Sequence, residues 1–358
     1  MTKTKKNICT ALLILVIIIV LALLDKKIIG DAYIRRILNI AAIYAVISVS
    51  LNLVNGFTGL FSLGQAGFVA IGAFSVAVFT IPQSRIPSIF YIEDMAPWLV
   101  NMRLPFPIAL IIGGILAASL ALIIGYPVLR LKSDYFAIAT LGFSEIIRIV
   151  LTNMQTVTNG ALGINKIPQI KSMFTIYGIC ALCIGIMALL INSSYGRAFK
   201  AIREDSIAAE AMGINLTFHK ELSFAVSAFF SAIAGGLYAS LLTTVDPKQF
   251  YFTLTYNFLL IVVLGGMGSI TGTIIGSYII TYGLEWLRFF DEPFSILGTQ
   301  IPIFRPGLRM VIFSILLMMI VLFFRKGLMG NKEFTWDGFI DLFQKIPAKL
   351  SSLRKKVK

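Results

Sequence analysis

The stretch Phe106-Pro-Ile-Ala-Leu-Ile-Ile-Gly-Gly-Ile-Leu-Ala-Ala-Ser-Leu-Ala-Leu-Ile-Ile-Gly-Tyr-Pro-Val-Leu129 runs for 24 residues without a charge. A bilayer core of about 30 Å is crossed by roughly 20 mainly apolar residues in an α-helix, which satisfies its own backbone groups where water is absent. On the same ruler, spans are expected at about 8–24, 34–54, 57–80, 106–129, 133–152, 172–191, 221–244, 253–266, 270–288 and 307–324. Composition agrees: 58% of the 358 residues are hydrophobic and only 13% are charged, against about 25% charged in soluble domains. The sequence therefore predicts an all-α, polytopic integral membrane protein of about ten transmembrane helices. It excludes a soluble two-domain enzyme, a disordered or collagen-like chain and a disulfide-rich secreted domain.

The net charge of +14 is unevenly placed. An even number of spans puts both termini on one side, together with the turn at 130–132 and the loop at 192–220. That side holds 18 of the 31 Lys and Arg residues, so the Lys/Arg bias assigns it to the cytoplasm. Lys26, Lys27, Arg35 and Arg36 run against this assignment, since they fall outside, partly offset by Asp25 and Asp31. Lys3, Lys5 and Lys6 before an apolar run look like a secretory signal, but no small-residue cleavage site follows, and an uncleaved first helix is expected. Residues 331–358 form a basic tail in which Phe334, Trp336, Phe339, Ile340 and Phe343 interleave with charge. It is expected either to lie on an anionic membrane surface or to be solvated.

Conventional chemistry finds little material. Cys180 and Cys183 form a CxxC within an apolar span, where a thiolate would be desolvated, and they read as small core residues. His219 is the one histidine, so neither a His-pair metal site nor a Ser-His-Asp set with a second histidine is available. No cofactor and no catalytic role are expected. No GxxxxGK[ST] phosphate loop occurs, so any ATP must be hydrolysed by another chain.

Two spans depart from plain helices. The first opens Asn55-Gly-Phe-Thr-Gly59 and continues Ser62-Leu-Gly64-Gln65-Ala-Gly67-Phe68. Such Gly density lowers helix propensity and suits a broken helix that presents backbone groups to a solute. Ser62 and Gln65, three apart, would share a helix face, either lining a path or bonding a neighbouring helix. The second contains Gly265, Gly266, Gly268, Gly272 and Gly276. The last three recur every four residues, the spacing that lets helix backbones touch. The likeness of the two Gly-rich openings hints at an internal repeat of the inverted kind. In 133–152, Glu145 and Arg148 are placed to neutralise each other, leaving Thr140 and Ser144 as candidates to line a path.

Within the 192–220 loop, Ala198 to Met212 has helix-forming composition, an acidic cluster of Glu204, Asp205 and Glu210, and a stop at Gly213. A short amphipathic helix there is a handle for a partner; a solvated linker helix is the alternative.

Here the sequence resembles the permease subunits of ATP-binding-cassette importers for branched-chain amino acids. The resemblance rests on Tyr195-Gly-Arg-Ala-Phe-Lys-Ala-Ile-Arg-Glu-Asp205 with Ala208-Ala-Glu-Ala-Met-Gly-Ile-Asn215, and on the blocks Leu51–Gly56, Ser62–Phe68, Leu129–Leu141 and Val263–Ser269. It covers about residues 35–330. Leu129–Leu141 and Thr158-Asn-Gly-Ala-Leu-Gly-Ile164 look like the M-type permease of the pair, with departures at Ser133 and Asn159. The resemblance implies a permease domain over 1–330, with 192–220 as its cytoplasmic coupling loop, in a prokaryotic plasma membrane. It implies four kinds of partner: a second, H-type permease; two cytoplasmic ATP-binding subunits; an extracellular solute-binding protein; and membrane lipid. No nucleic acid is expected.

Carried onto this chain, ATPase coupling falls to Arg203, Glu204, Asp205, Ala209, Glu210, Ala211 and Gly213. The translocation path falls to Asn52, Ser62, Gln65, Tyr135, Thr140 and Ser144, with Gly64, Gly67, Gly265, Gly266, Gly268 and Gly272 as structural glycines. The expected cargo is leucine, isoleucine or valine. The same architecture carrying urea, short amides or nucleosides is the alternative, and a stand-alone ion-coupled carrier is a remote one.

Overall fold

In the computed structural model, the described residues are 3–26, 31–129 and 133–287, with scattered positions between 295 and 333. Among the described residues the regular structure is helical apart from a two-residue antiparallel ladder, Ser295–Ile296 with Thr299–Gln300, and an isolated bridge between Ile164 and Val245. Its order is α1 (Lys3–Asp25), α2 (Ala32–Asn52), α3 (Gln65–Thr80), a one-turn α4 (Pro97–Val100), α5 (Phe106–Val128) and α6 (Ser133–Asn153). There follow a one-turn α7 (Gln155–Thr158), α8 (Met173–Asn192), α9 (Ser194–Glu204), α10 (Ser206–Ala211), α11 (Leu216–Leu242), α12 (Phe252–Gly265) and α13 (Ile270–Trp286).

Among the described residues, five helical segments are long and apolar enough to cross a membrane: Ala32–Phe57, Phe106–Val128, Tyr135–Asn153, Met173–Asn192 and Leu216–Leu242. Cys9–Asp25, Gln65–Thr80 and Phe252–Gly265 are shorter apolar helices. The expected span at 307–324 and the tail at 331–358 lie outside the described residues, apart from isolated positions such as Glu333.

The two Gly-rich spans are short because both are broken. A π-helical turn, Leu53–Phe57, carries α2 onward, with Thr58 donating through both its backbone N and its Oγ1 to the Leu53 carbonyl, at 3.1 and 2.9 Å. The chain then runs without regular structure through 58–64 before α3 begins. The second break, at 266–269 between α12 and α13, holds Gly266 at φ +117° and Gly268 at φ +94°, backbone that a residue with Cβ rarely adopts. Gly268 therefore belongs to the turn, while Gly272 and Gly276 lie on α13 and abut the backbone of Gly265 and Ile261 in α12. The four-residue glycine spacing thus serves helix–helix packing only at its last two members, while Gly268 meets Gly56 across the two breaks.

At the centre, α2, α3, α5 and α11 bury their apolar residues in one another. A Cβ on Gly72 would overlap the Ala232 carbonyl, and one on Gly235 would overlap that of Val69, so α3 and α11 meet backbone to backbone. Lipid is as apolar as leucine, so packing of this kind and buried hydrogen bonds hold such helices together. Edge-to-face rings close the gaps: Phe224 meets Phe68 at 5.4 Å and Phe136 at 5.6 Å between centroids. Cys180 and Cys183 are free and buried in the core beside α8's other inward residues. Gly235→Val should lower the thermal unfolding midpoint of the detergent-solubilised protein, reflecting an overpacking cost of about 1–3 kcal/mol, whereas Gly178→Ala, inside α8 with open space at its Cβ, should not lower it and should raise it slightly through the better helix propensity of alanine.

Candidate functional site

The breaks expose backbone that no helix satisfies, and the side chains around them take up that role. Asn55 folds the extended stretch back on itself: its Oδ1 accepts from Ser62 N at 3.0 Å and its Nδ2 donates to Ser62 O at 3.3 Å. Thr140 Oγ1 accepts from Leu63 N at 3.0 Å, and Thr255 Oγ1 accepts from Ala66 N at 3.0 Å. Asn52 bridges to the second break, donating to Thr273 Oγ1 at 2.8 Å and Ser269 O at 3.0 Å while its Oδ1 accepts from Gly268 N at 2.9 Å. The two Gly-rich breaks are thereby tied to each other.

At the start of α3, Gln65 knits three helices. Its Nε2 donates to Ser50 Oγ at 2.8 Å, to Ser227 Oγ at 3.2 Å and also to Ser231 Oγ. Ser227 Oγ in turn donates to the Ser50 carbonyl at 2.6 Å. Ser50, Gln65, Ser227 and Ser231 are all buried.

Of the predicted path residues, the structure gathers Asn52, Ser62, Gln65, Thr140 and Ser144 into this buried region, with Ser144 lying against Gly67 and Thr140 against Gly64. Tyr135 stands apart, 61% exposed. Ser62 and Gln65 do not share a helix face: Ser62 lies in the extended stretch and Gln65 is the first residue of α3. The break falls between them because Gly64 ends the irregular run. Glu145 and Arg148 pair as expected, at 2.7 Å, and the Arg148 guanidinium lies over the Tyr251 ring at 4.2 Å.

The sequence reading passed over Ser50, Ser231, Thr255 and Thr273 as site residues. Ser223, Ser227 and Ser231 recur every four residues on α11, so the helical spacing rule applied to serine would have marked that face.

At one end of the bundle, the loop expected as a single helix is two. Asp205 breaks it in extended conformation, φ −156° and ψ 110°, and its Oδ1 accepts from Ile207 N and Ala208 N at 2.8 and 3.1 Å, capping α10. Gly213 at φ +85° ends the unit and Asn215 caps α11. Helix α9 is seated through buried Phe199 and Ile202 and a ring cluster with His219. By contrast α10 stands out: Ile207 and Met212 are 79% and 83% exposed, with Glu210, Ala211 and Gly213 exposed and only Ala209 buried. Arg203 joins this unit to the first break, donating from Nη1 to Gly56 O at 2.8 Å while pairing with Glu204. Gly59, φ +78°, lies directly against Arg203.

Membrane-length apolar helices, breaks sealed by buried side chains and a two-helix unit at one end define a polytopic helical membrane protein. The family model of the permease component of branched-chain amino acid transport systems matches residues 33–322, and the chain belongs to that family. It is 33% identical over 291 residues to the high-affinity branched-chain amino acid transport system permease LivM of Escherichia coli K12, covering 72% of this chain and 64% of the relative. The Salmonella typhimurium LivM is likewise 33% identical, over 70% of this chain and 62% of the relative. The chain thus spans under two thirds of the length of these two relatives. The probable LivM of Methanocaldococcus jannaschii is 27% identical over 81% of this chain and 91% of its own length. No solved structure matches the chain.

Thr140→Val deprives Leu63 N–H of its acceptor and should reduce stability by about 1–3 kcal/mol, while Thr140→Ser should retain most of it; thermal unfolding in detergent separates the two.

Proposed function

We propose that this chain is the M-type permease subunit of an ATP-driven importer and forms half of the translocation pathway for leucine, isoleucine and valine. In this reading a second, H-type permease supplies the other half, two cytoplasmic ATP-binding subunits drive the cycle, and an extracellular binding protein delivers the solute. The observation that carries the reading is the α9–α10 unit: an exposed, apolar and acidic handle at α10, fastened through Arg203 to the backbone of the first break. Force applied to α10 reaches the interior through a hydrogen bond rather than a flexible linker.

The coupling residues are Arg203, Glu204, Asp205, Ala209, Glu210, Ala211 and Gly213, and the path residues are Asn52, Ser62, Gln65, Tyr135, Thr140 and Ser144. Residues 1–330 make the permease domain of a multi-pass protein of the prokaryotic plasma membrane, with 192–220, 331–358 and both termini in the cytoplasm. Moving the coupling unit would bias the bundle between two arrangements, the bistable element that remote ATP hydrolysis needs. The side chains proposed to line the path are neutral, which suits a solute that must also leave, while the charges at the breaks, Arg203 and Glu333, are held by backbone groups.

Support for the cargo comes from the relatives named above. A nucleoside permease of Lactococcus lactis, 22% identical over 51% of this chain, is the observation that keeps a nucleoside cargo as the second reading.

Co-purification of the tagged chain from mild detergent should recover a second permease and ATP-binding subunits; recovery of the chain alone, transporting without ATP, would overturn the importer reading. In the reconstituted complex, Gly213→Asp and Glu210→Arg should abolish solute-dependent ATP hydrolysis or dissociate the ATPases. Coupled uptake at the unmodified rate in both would remove α10 from coupling. Gln65→Ala should lower leucine uptake severalfold with assembly intact, and unchanged uptake would remove Gln65 from the path.

A further inference from the structure

The charges that oppose the Lys/Arg bias lie at the end of the bundle remote from α9 and α10. There Arg35 and Arg36, in the first turn of α2, meet Lys171, just ahead of α8, around an open cleft of about 680 Å³. Asn39, Gln169 and Thr243 complete its polar lining, and Leu241 and Leu242 give it an apolar side.

Among the described residues none of the three cations has an ion pair. Of the nearby acids, Asp25 accepts from Met173 N at 2.9 Å and Glu285 accepts from the Tyr33 hydroxyl at 2.8 Å, while Asp31, the N-cap residue of α2, makes no side-chain cap bond and stands exposed. Two polar atoms in the cleft wall are buried without a partner, Arg35 Nε and Asn39 Oδ1, and Asn39 is only 7% exposed.

Three unpaired cations around one cleft repel one another, and buried unpaired polar atoms cost free energy unless a ligand meets them. The ligand that meets both must carry an anion for the guanidinium forks and a hydroxyl or ammonium donor for Asn39 Oδ1. A phosphate diester fits the first requirement, since Arg donors match its oxygens in geometry and charge. Its alcohol substituent fits the second. The first turn of a spanning helix also lies at the depth of the lipid phosphates, so a headgroup of the leaflet at this end is within reach of the cleft.

We propose that this cleft is an anion site for a phosphate group, carried by the headgroup of an anionic phospholipid whose acyl part rests along the apolar side.

The full chain, purified in mild detergent, is exposed to phosphatidylglycerol, to phosphatidylcholine and to inorganic phosphate, with native mass spectrometry reporting retained lipid and thermal unfolding reporting the protein. Phosphatidylglycerol should be retained at least tenfold more than phosphatidylcholine. Arg36→Gln and Lys171→Gln, both at exposed positions, should each lower that retention severalfold without lowering the lipid-free unfolding midpoint, since each removes one of the mutually repelling charges. Retention that survives millimolar inorganic phosphate supports the lipid source. A rise in midpoint with phosphate, abolished by the same variants and without lipid preference, supports the anion site and moves its source to soluble phosphate. Equal retention of the two lipids with no phosphate-dependent shift, or binding indifferent to both variants, overturns the proposal.

Discussion

An α-helix interrupted within a bilayer leaves backbone groups that water cannot reach, and everything distinctive in this bundle follows from satisfying them. The extended stretch 58–64 survives because Asn55, Thr140 and Thr255 take up the N–H groups of Ser62, Leu63 and Ala66. The turn at 266–269 survives because Asn52 accepts from Gly268 N and donates to Ser269 O. Neither break is stable alone: each borrows a side chain from a helix distant in sequence. That mutual dependence fixes α2, α6, α12 and α13 around one region.

Close approach is the second half of the same constraint. A hydroxyl or amide reaches a neighbouring backbone only when the helices nearly touch, and Gly72 and Gly235 allow α3 and α11 to do so. Gln65 then lies within reach of serines on two helices. Interhelical hydrogen bonds in membranes contribute on the order of 1 kcal/mol each, so the seam is held by several modest bonds rather than by one strong pair. A seam of that kind can exchange partners between two packings, as a deep buried ion pair could not.

Most of the helices were legible in the sequence because hydropathy over 20 residues is a long-range signal. The plain spans at 106–129, 133–152 and 172–191 fall within a residue or so of α5, α6 and α8. The Gly-rich spans were legible as broken, since Gly density reports on propensity directly. Where each break falls was not, because Ser62 and Gln65 look alike on a helical wheel and only their tertiary partners separate them. The split of the loop at Asp205 was missed for a related reason: its residues are good helix formers on both sides, and an Asp in such a run reads equally as an exposed helical acid or as a cap. The polar seam was half legible. Gln65 stood out in an apolar span, whereas Ser227 and Ser231 looked like ordinary small residues until α11 was set against α3.

The division of the loop into α9 and α10 bears on how coupling would work. A single straight helix would expose one continuous face and transmit force along its whole length. With extended Asp205 between them, α9 stays seated by Phe199 and Ile202, and α10 projects Ile207 and Met212 outward. Arg203 sits on the seated side of that junction, one hydrogen bond from Gly56 at the end of α2. Under the proposed coupling, a partner gripping α10 would not pull on the break directly. It would act through α9, whose Arg203, at the end nearest the junction, bears on Gly56 and Gly59. A rotation of α9 would thereby be delivered to the π-turn that follows α2, where helical geometry is already loosened.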